Sequence, residues 1–280
     1  MISDTKKIIN FCPTGTQPSK ENSLAPIFFN EVIDTVLSCV EIGITMVHIH
    51  ARDEEGNNTY KKEFYQRIID GIKDHAKDLL IGVSLSGRYF SDRNLRAEVL
   101  SLKPDFGSLT MSSMNFLKSA SVNDPETILW LINEMDHYGV IPEIECFDSG
   151  MLNYTNYLIK KGGFRGPLYL NVIFGNMFNA GTDIATMASI VHNLPENAKV
   201  CFGGIGQGQL KANVMGMLEA DGARIGLEDN LYFTDKNLAT NQQLLIRLIK
   251  IMDELNCSVM SSEDFRKLGY GNRKADNFGA

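Results

Sequence analysis

Short apolar runs alternate with longer amphipathic segments along this chain of 280 residues. Eight of the runs are rich in Val, Ile and Leu, a composition typical of buried parallel strands. These predicted strands lie at about 7–12, 44–50, 79–85, 105–111, 140–147, 167–174, 198–203 and 222–228. Helix-like segments separate the strands, for example at 27–42, 61–78, 124–138, 181–193 and 240–255. The repeated order of strand and helix predicts an α/β protein.

Eight β-then-α units within roughly 255 residues predict a (β/α)8 TIM-type barrel, which we expect to form one domain over residues 1–280. An open, doubly wound sheet is the alternative, because closure of a barrel is not visible in a sequence. A polar extension begins at about residue 258. We expect this extension either to pack on a neighbouring subunit or to fray.

The composition of the chain limits which classes of partner and which cellular compartment are expected, and it adds nothing about the fold. The formal net charge of −7 gives no basic footprint for nucleic acid or for an anionic membrane, so we expect neither partner. No run approaches the roughly 18 apolar residues of a membrane helix, and the N-terminus lacks a secretory pattern. The five cysteines are scattered without CxxC or CxH spacing. We therefore expect a cytoplasmic protein with reduced thiols.

Two histidines share one face of the second predicted strand, close to its end. His48 and His50 alternate with Val47 and Ile49, so both imidazoles would point into the barrel while their neighbours face the helices. Residues two apart on a strand lie about 6–7 Å apart, which allows two imidazoles to hold one metal ion. The alternative is a pair of buried, hydrogen-bonded histidines. Their pairing at a strand end, in a chain with five histidines, favours the metal.

Charged residues occupy other predicted strand ends with the same period of two. Arg224 and Glu228 share a face of the eighth strand, and Glu143 and Glu145 share a face of the fifth. Buried carboxylates are costly unless a metal or an arginine compensates them. Glu228 can join the two histidines as a third ligand, leaving open positions for water or substrate, as in catalytic sites. The same triad suits Fe(II), and a structural network of ion pairs inside the barrel is the alternative to any metal.

Three motifs stand at these strand ends: VHIHARD at 47–53, PEIE at 142–145 and RIGLEDN at 224–230. They resemble the β-keto acid cleavage enzymes, a family of zinc-dependent barrels typified by the 3-keto-5-aminohexanoate cleavage enzyme. The resemblance runs from about residue 7 to residue 241. VHIHARD and RIGLEDN are long and specific, which argues against a chance similarity.

The resemblance implies a function and a set of site residues. Members exchange acyl groups between a β-keto acid and acetyl-CoA, which gives acetoacetate and a new acyl-CoA, and they are generally homotetramers. By this resemblance, zinc would be held by His48, His50 and Glu228. The β-keto acid would be bound with the help of Ser84, Gly87 and Thr110. The polar site would be completed by Arg224, Glu145 and Asp229.

The chemistry of the implied reaction assigns roles to three of these residues. A base must remove a proton next to the keto group, and Asp229, oriented by Arg224, is our first choice. Glu145 is the second choice. Arg224 is expected to adjust the pKa of a neighbouring carboxylate and not to act as the base itself, because a guanidinium does not deprotonate in proteins.

The loop after the first strand departs from the family's pattern. The pattern of the 3-keto-5-aminohexanoate enzyme in this loop is Thr-Gly-x-Glu, and its acidic residue meets the ammonium group of the substrate. This chain reads Thr-Gly-Thr-Gln, so neutral Gln17 stands in place of the acid. A neutral amide pairs poorly with an ammonium group, so an amino substrate is not expected. Arg88 and Lys20 are cations near the predicted mouth that could favour an acidic substrate tail or the phosphates of CoA. Solvated surface charges are the alternative for both.

Two other functions fit parts of the pattern. A zinc hydrolase of the amidohydrolase type also uses His-x-His on a barrel strand, but it needs further histidines at later strand ends. The remaining histidines of this chain fall in predicted helices. A non-catalytic barrel that binds a small acid is the other alternative, and it would bind without a metal and without acyl exchange.

Overall fold

Eight parallel strands form a closed barrel in the computed structural model, which describes residues 5–16 and 23–273. The strands are β1 Thr5–Phe11, β2 Met46–Ile49, β3 Leu80–Val83, β4 Phe106–Thr110, β5 Ile141–Cys146, β6 Leu168–Phe174, β7 Ala198–Gly204 and β8 Gly222–Ile225. Closure comes from parallel pairing of β1 with β8, in which Ile8 lies opposite Gly222 and Asn10 opposite Arg224. The predicted (β/α)8 TIM-type barrel is thus confirmed, and the open-sheet alternative is wrong.

Helices follow the strands around the outside of the barrel. They are α1 Phe29–Ile42, α2 Lys62–Lys73, α3 Arg93–Ala97, α4 Pro125–Tyr138, α5 Ser149–Lys160, α6 Ile184–His192, α7 Gly208–Glu219 and α8 Asn241–Glu254. A 3-10 turn at Glu98–Leu102 extends α3. Helix α4 starts at Pro125, and the side chain of Asp124 accepts a hydrogen bond from the backbone N–H of Thr127, which caps the first turn. No helix in the described ranges is long and apolar enough to cross a membrane.

The interior of the barrel is divided into an apolar layer and a polar layer. The apolar layer lies toward the N-terminal ends of the strands and contains Ile8, Met46, Leu80, Phe106, Ile141, Tyr169 and Cys201. Two residues further along each strand, the inward positions hold Asn10, His48, Gly82, Ser108, Glu143, Asn171, Gly203 and Arg224. Because side chains alternate along a strand, the sequence places this polar layer directly above the apolar one.

The C-terminal extension closes the N-terminal end of the barrel. A short strand, β9 (Cys257–Val259), pairs with the start of β1, and a short helix, α9 (Ser262–Lys267), follows it. Phe265 of α9 is fully buried and stacks on Tyr270, with ring centroids 4.3 Å apart. The backbone N–H of Asn272 donates to Asp105 at 3.0 Å. Up to residue 273 the extension therefore packs on its own barrel, where the sequence predicted either contact with another subunit or fraying.

Candidate metal centre and active-site cleft

Three potential metal ligands meet at the C-terminal end of the barrel. His48 lies on β2, His50 follows that strand, and Glu228 follows β8. His50 Nε2 lies 3.2 Å from Glu228 Oε1, and His48 Nε2 lies 3.9 Å from Glu228 Oε2. One nitrogen or oxygen from each of the three side chains lies within 4.8 Å of the others. In the described ranges this is the one such cluster of His, Cys, Asp and Glu, and it matches the predicted triad.

Glu143, inside the barrel, orients His48 by a hydrogen bond to the ring nitrogen that points away from Glu228. The Nδ1 of His48 donates to Glu143 Oε2 at 2.8 Å, so its Nε2 is the nitrogen that faces Glu228. The other oxygen of Glu143 accepts hydrogen bonds from Asn10 at 2.5 Å and from Asn171 at 2.7 Å. A carboxylate behind a ligating imidazole sets its tautomer and raises its basicity. Two imidazoles and a carboxylate held in this way fit a divalent metal ion with open positions.

A glycine makes room for the pair of His48 and Glu143. Gly82 lies opposite His48 in the pairing of β2 with β3. A Cβ atom at Gly82 would lie 2.9 Å from Glu143 Oε2, closer than real Cβ contacts allow. The absence of a side chain at this position is therefore a requirement of the polar layer.

We expect Glu143→Gln to weaken metal binding by about 10- to 100-fold, because an amide adds no negative charge behind His48 and places an NH2 group where Glu143 offers a second acceptor oxygen. Calorimetric titration of the metal-free protein with Zn²⁺ measures the effect. Glu126→Gln is the matched control, since the Glu126 side chain is 83% exposed and pairs with Arg93 on the surface. Equal affinities in the two variants would show that Glu143 does not support the metal ligands.

Arg224 holds the carboxylates of the site together. Its side chain is buried in the barrel, and it donates from Nε to Asp229 at 2.8 Å. One terminal nitrogen donates to Glu145 at 3.1 Å and the other to Glu228 at 2.7 Å. Thr110 donates to the second oxygen of Glu145 at 2.9 Å. The three residues of the predicted polar site thus form one network, which also reaches a predicted metal ligand.

The pKa values of the three carboxylates in this network shift in different directions: those of Asp229 and Glu145 are raised and that of Glu228 is lowered. Burial raises the pKa of Asp229, and the attraction of Arg224 offsets this only in part. Glu145 shows the same balance, with its pKa raised by burial against Arg224. Burial also acts on Glu228, but Arg224 and His50 outweigh it and hold the pKa of Glu228 well below its usual range. Glu228 is therefore an anion suited to a metal, while Asp229 is better suited than an ordinary aspartate to accept a proton.

The two histidines also differ in charge preference. Burial disfavours the charged form of His48, but the carboxylates of Glu143 and Glu228 outweigh it and raise the pKa of His48 to about 9. For His50 burial dominates, and its pKa is lowered. Glu143 and Glu228 thus favour a positive charge at His48. A metal cation bound to the imidazole would supply that positive charge in place of the second ring proton.

The site opens into a cleft that is lined by the metal triad and by residues of the loops above the barrel. Of the predicted substrate-binding residues, Ser84 and Thr110 line this cleft. Gly87 does not line it, and a Cβ atom there would lie 2.4 Å from the carbonyl oxygen of Val122. Gly87 therefore permits a close backbone contact in the loop above β3. Gln17 lies outside the described residues.

Sequence reasoning missed the support that lies beneath the triad. Glu143 shares the face of Glu145 on β5, but its role as the partner of His48 was not predicted. Its two amide donors, Asn10 and Asn171, are polar residues flanked on both sides by apolar neighbours within their strands. Such isolated inward-facing polar residues are the signal that could have identified them, because a buried amide requires a partner.

Comparisons with known proteins identify the family to which the chain is similar. The family described as beta-keto acid cleavage enzyme matches residues 6–269. A 3-oxoadipate:acetyl-CoA acetyltransferase from Cupriavidus necator is 31% identical over 251 residues and covers 88% of each chain. A 3-keto-5-aminohexanoate cleavage enzyme from Fusobacterium nucleatum is 27% identical, covering 94% of this chain and 97% of the relative.

A solved structure confirms the fold alone. The complex of ObcA with oxaloacetate superimposes with a TM-score of 0.76 at 16% identity, covering 89% of this chain and 68% of the ObcA chain. The family match over residues 6–269 includes all of the barrel except Thr5, together with the His48, His50 and Glu228 cluster and the Arg224 network. This chain therefore belongs to the beta-keto acid cleavage enzyme family.

Proposed function

We propose that this protein is an acyltransferase that cleaves a β-keto acid with acetyl-CoA, releasing acetoacetate and a new acyl-CoA, and that it depends on Zn²⁺. The observation that carries the proposal is the convergence of two groups in one cleft. One group is the potential metal triad, and the other is Asp229 held by Arg224. Membership of the family and the names of its relatives support the reaction class.

His48, His50 and Glu228 would hold the metal. When bound there, a zinc ion supplies a Lewis acid that polarises the keto group and offsets the negative charge of the substrate. Ser84 and Thr110 would position the substrate, because both line the same cleft as the triad. Gly87 and Gln17 are proposed from the family resemblance to contribute to substrate binding from the loops after β3 and β1.

Asp229 is the proposed base, positioned by its hydrogen bond from Arg224. It would remove a proton from the carbon between the keto and carboxylate groups of the β-keto acid. That carbon would then attack the acetyl carbonyl carbon of acetyl-CoA, and the thiolate of CoA would leave. Attack of the same thiolate on the original keto carbon would break the adjoining C–C bond, giving the new acyl-CoA. Asp229 would return its proton to the released acetoacetate.

Neither alternative function gains support from a particular contact. Apart from the triad, the described histidines lie outside the barrel: His137 on α4, His192 on α6 and His75 after α2. A hydrolase of the amidohydrolase type would need such residues at the strand ends. A barrel that merely binds a small acid offers no reason for Asp229 to lie beside a metal triad.

The proposal predicts that the metal-loaded protein forms new acyl-CoA esters from acetyl-CoA and a β-keto acid, detected by mass spectrometry. His48→Ala should abolish this exchange because the variant loses a ligand. His192→Ala, which changes an exposed residue of α6, should retain it. Absence of exchange with neutral, hydroxylated, dicarboxylic and cationic β-keto acids, in protein shown to carry zinc, would contradict the proposed function.

A further inference from the structure

Arg88 is a second arginine in the cleft, and it is engaged differently from Arg224. It lies in the loop after β3, above the barrel, and lines the same cleft as the metal triad. Its guanidinium carbon lies 3.4 Å from the centroid of the Phe116 ring. One terminal nitrogen donates to the hydroxyl of Thr16, which is a neutral acceptor. The aromatic ring and the hydroxyl hold the guanidinium without neutralising it.

Within the described residues, the carboxylates that line the cleft bind Arg224 and not Arg88. Arg224 donates hydrogen bonds to Asp229, Glu145 and Glu228. Arg88 forms no salt bridge with a carboxylate in residues 5–16 and 23–273, and its buried Nε has no hydrogen-bond acceptor there. A guanidinium has five donors in a planar fork that matches a carboxylate. Arg88 therefore retains both the charge and the donors to bind an anion that enters the cleft.

The position of Arg88 indicates which end of a substrate it would contact. His48 and Arg224 lie inside the barrel, whereas Arg88 lies five residues beyond the end of β3. A β-keto acid with its reacting end at the triad would extend toward the loops. The group at its far end would then meet Arg88. An ammonium group there would face a like charge, and a neutral tail would offer no acceptor to the donors of Arg88 that Thr16 does not engage.

We propose that Arg88 determines specificity by binding a carboxylate at the far end of the substrate, so that the preferred substrate class is the β-keto dicarboxylic acids. This inference rests on the proposed function and adds the identity of the tail to it. It also assigns to Phe116 a supporting role, since its ring covers one face of the guanidinium and keeps the fork directed into the cleft.

Three six-carbon probes test the inference at constant chain length: 3-oxoadipate with an anionic tail, 3-oxohexanoate with a neutral tail, and 3-keto-5-aminohexanoate with a cationic tail. The measured quantity is kcat/KM for each probe at saturating acetyl-CoA, using zinc-loaded protein. We expect 3-oxoadipate to be preferred over 3-oxohexanoate by about 10- to 100-fold, the range for a hydrogen bond between charged groups. The cationic probe should be the poorest.

Arg88→Gln should lower the ratio of kcat/KM for 3-oxoadipate over 3-oxohexanoate by about 10- to 100-fold, mainly through KM for 3-oxoadipate. Arg88→Lys should restore part of the ratio, because it keeps the charge but not the planar fork. Arg88→Glu should reverse the order of the anionic and cationic probes. Arg93→Gln is the matched control, since Arg93 lies nearby on α3, pairs with Glu126 and is absent from the cleft, and it should not change the ratio.

An unchanged ratio in Arg88→Gln would overturn the inference. If this variant instead raised KM for acetyl-CoA equally with every probe, Arg88 would bind the phosphates of CoA and not the substrate tail. Preference of the unmodified protein for the neutral or cationic probe would also overturn it, while leaving the proposed function intact. Failure of all three probes to give an acyl-CoA would contradict the proposed function itself.

Discussion

Replacing Arg224 by Met is expected to lower the free energy of unfolding by about 3–5 kcal/mol at neutral pH, the usual cost of removing one partner of a buried ion pair. The variant would leave Asp229, Glu145 and Glu228 buried without their shared cation. Urea denaturation of the metal-free protein measures the loss. Arg165→Met provides the control, because the Arg165 side chain is 76% exposed and pairs with Asp136 on the surface. Such pairs contribute at most about 1 kcal/mol.

The difference between Arg224→Met and the unmodified protein should shrink as the pH falls. Arg224 depresses the folded-state pKa of Glu228, and a depressed carboxylate pKa contributes stability above its unfolded value. That contribution is lost as the pH drops through the folded-state value, and acid also neutralises the uncompensated carboxylates of the variant. Denaturation at pH 7 and at about pH 3 tests the trend, because the contribution of Glu228 is intact above the ordinary carboxylate pKa and is lost only below it. A loss no greater than that of Arg165→Met at pH 7 would mean that the cluster does not need its cation.

Asp229→Asn is expected to reduce kcat by about 100- to 10,000-fold, the range for loss of a general acid–base group. Asparagine retains an oxygen that can accept the hydrogen bond from Arg224, so the shape of the site should be preserved. Zinc content and calorimetric binding of the β-keto acid should therefore remain close to those of the unmodified protein. Acyl-CoA formation measured by mass spectrometry would report the loss of turnover.

Glu145→Gln separates the two candidate bases. The oxygens of Glu145 are held by two different partners, Arg224 and Thr110, whereas Asp229 accepts from Arg224 with one short bond of 2.8 Å and one long bond of 3.5 Å. We expect its replacement to reduce kcat less than Asp229→Asn does. Normal turnover in Asp229→Asn together with an inactive Glu145→Gln would reverse the assignment of the base.

The main features of the fold were predictable because each depends on a local pattern. All eight apolar runs correspond to barrel strands, since a strand buried on both faces needs a continuous apolar stretch. The five named helical segments correspond to α1, α2, α4, α6 and α8. The end of the chain was harder to predict, because its polar sequence conceals Phe265 and Tyr270, which are buried only by contact with distant strand starts.

The candidate site divides in the same way. Alternation along β2 was sufficient to pair His48 with His50, and alternation along the eighth strand indicated Glu228 as the third ligand before the family resemblance implied the same set. Arg88 was visible only as a cation near the mouth. Its ring contact with Phe116 and its lack of a carboxylate partner in the described residues depend on loops that are distant in sequence.

The sequence by itself determined the strand-and-helix order, the inward face of each strand and the residue types that form a polar layer at one end of the barrel. These follow from local periodicity, which every residue carries with it. The tertiary structure decided which polar residues meet: Glu143 with His48, Arg224 with three carboxylates, and Gly87 against Val122 and not in the cleft. Barrel closure brings β8 beside β1, and the stagger between strands brings together Glu143 with His48 and Arg224 with Glu145. These pairs are 95 and 79 residues apart in the chain, separations that no local pattern encodes.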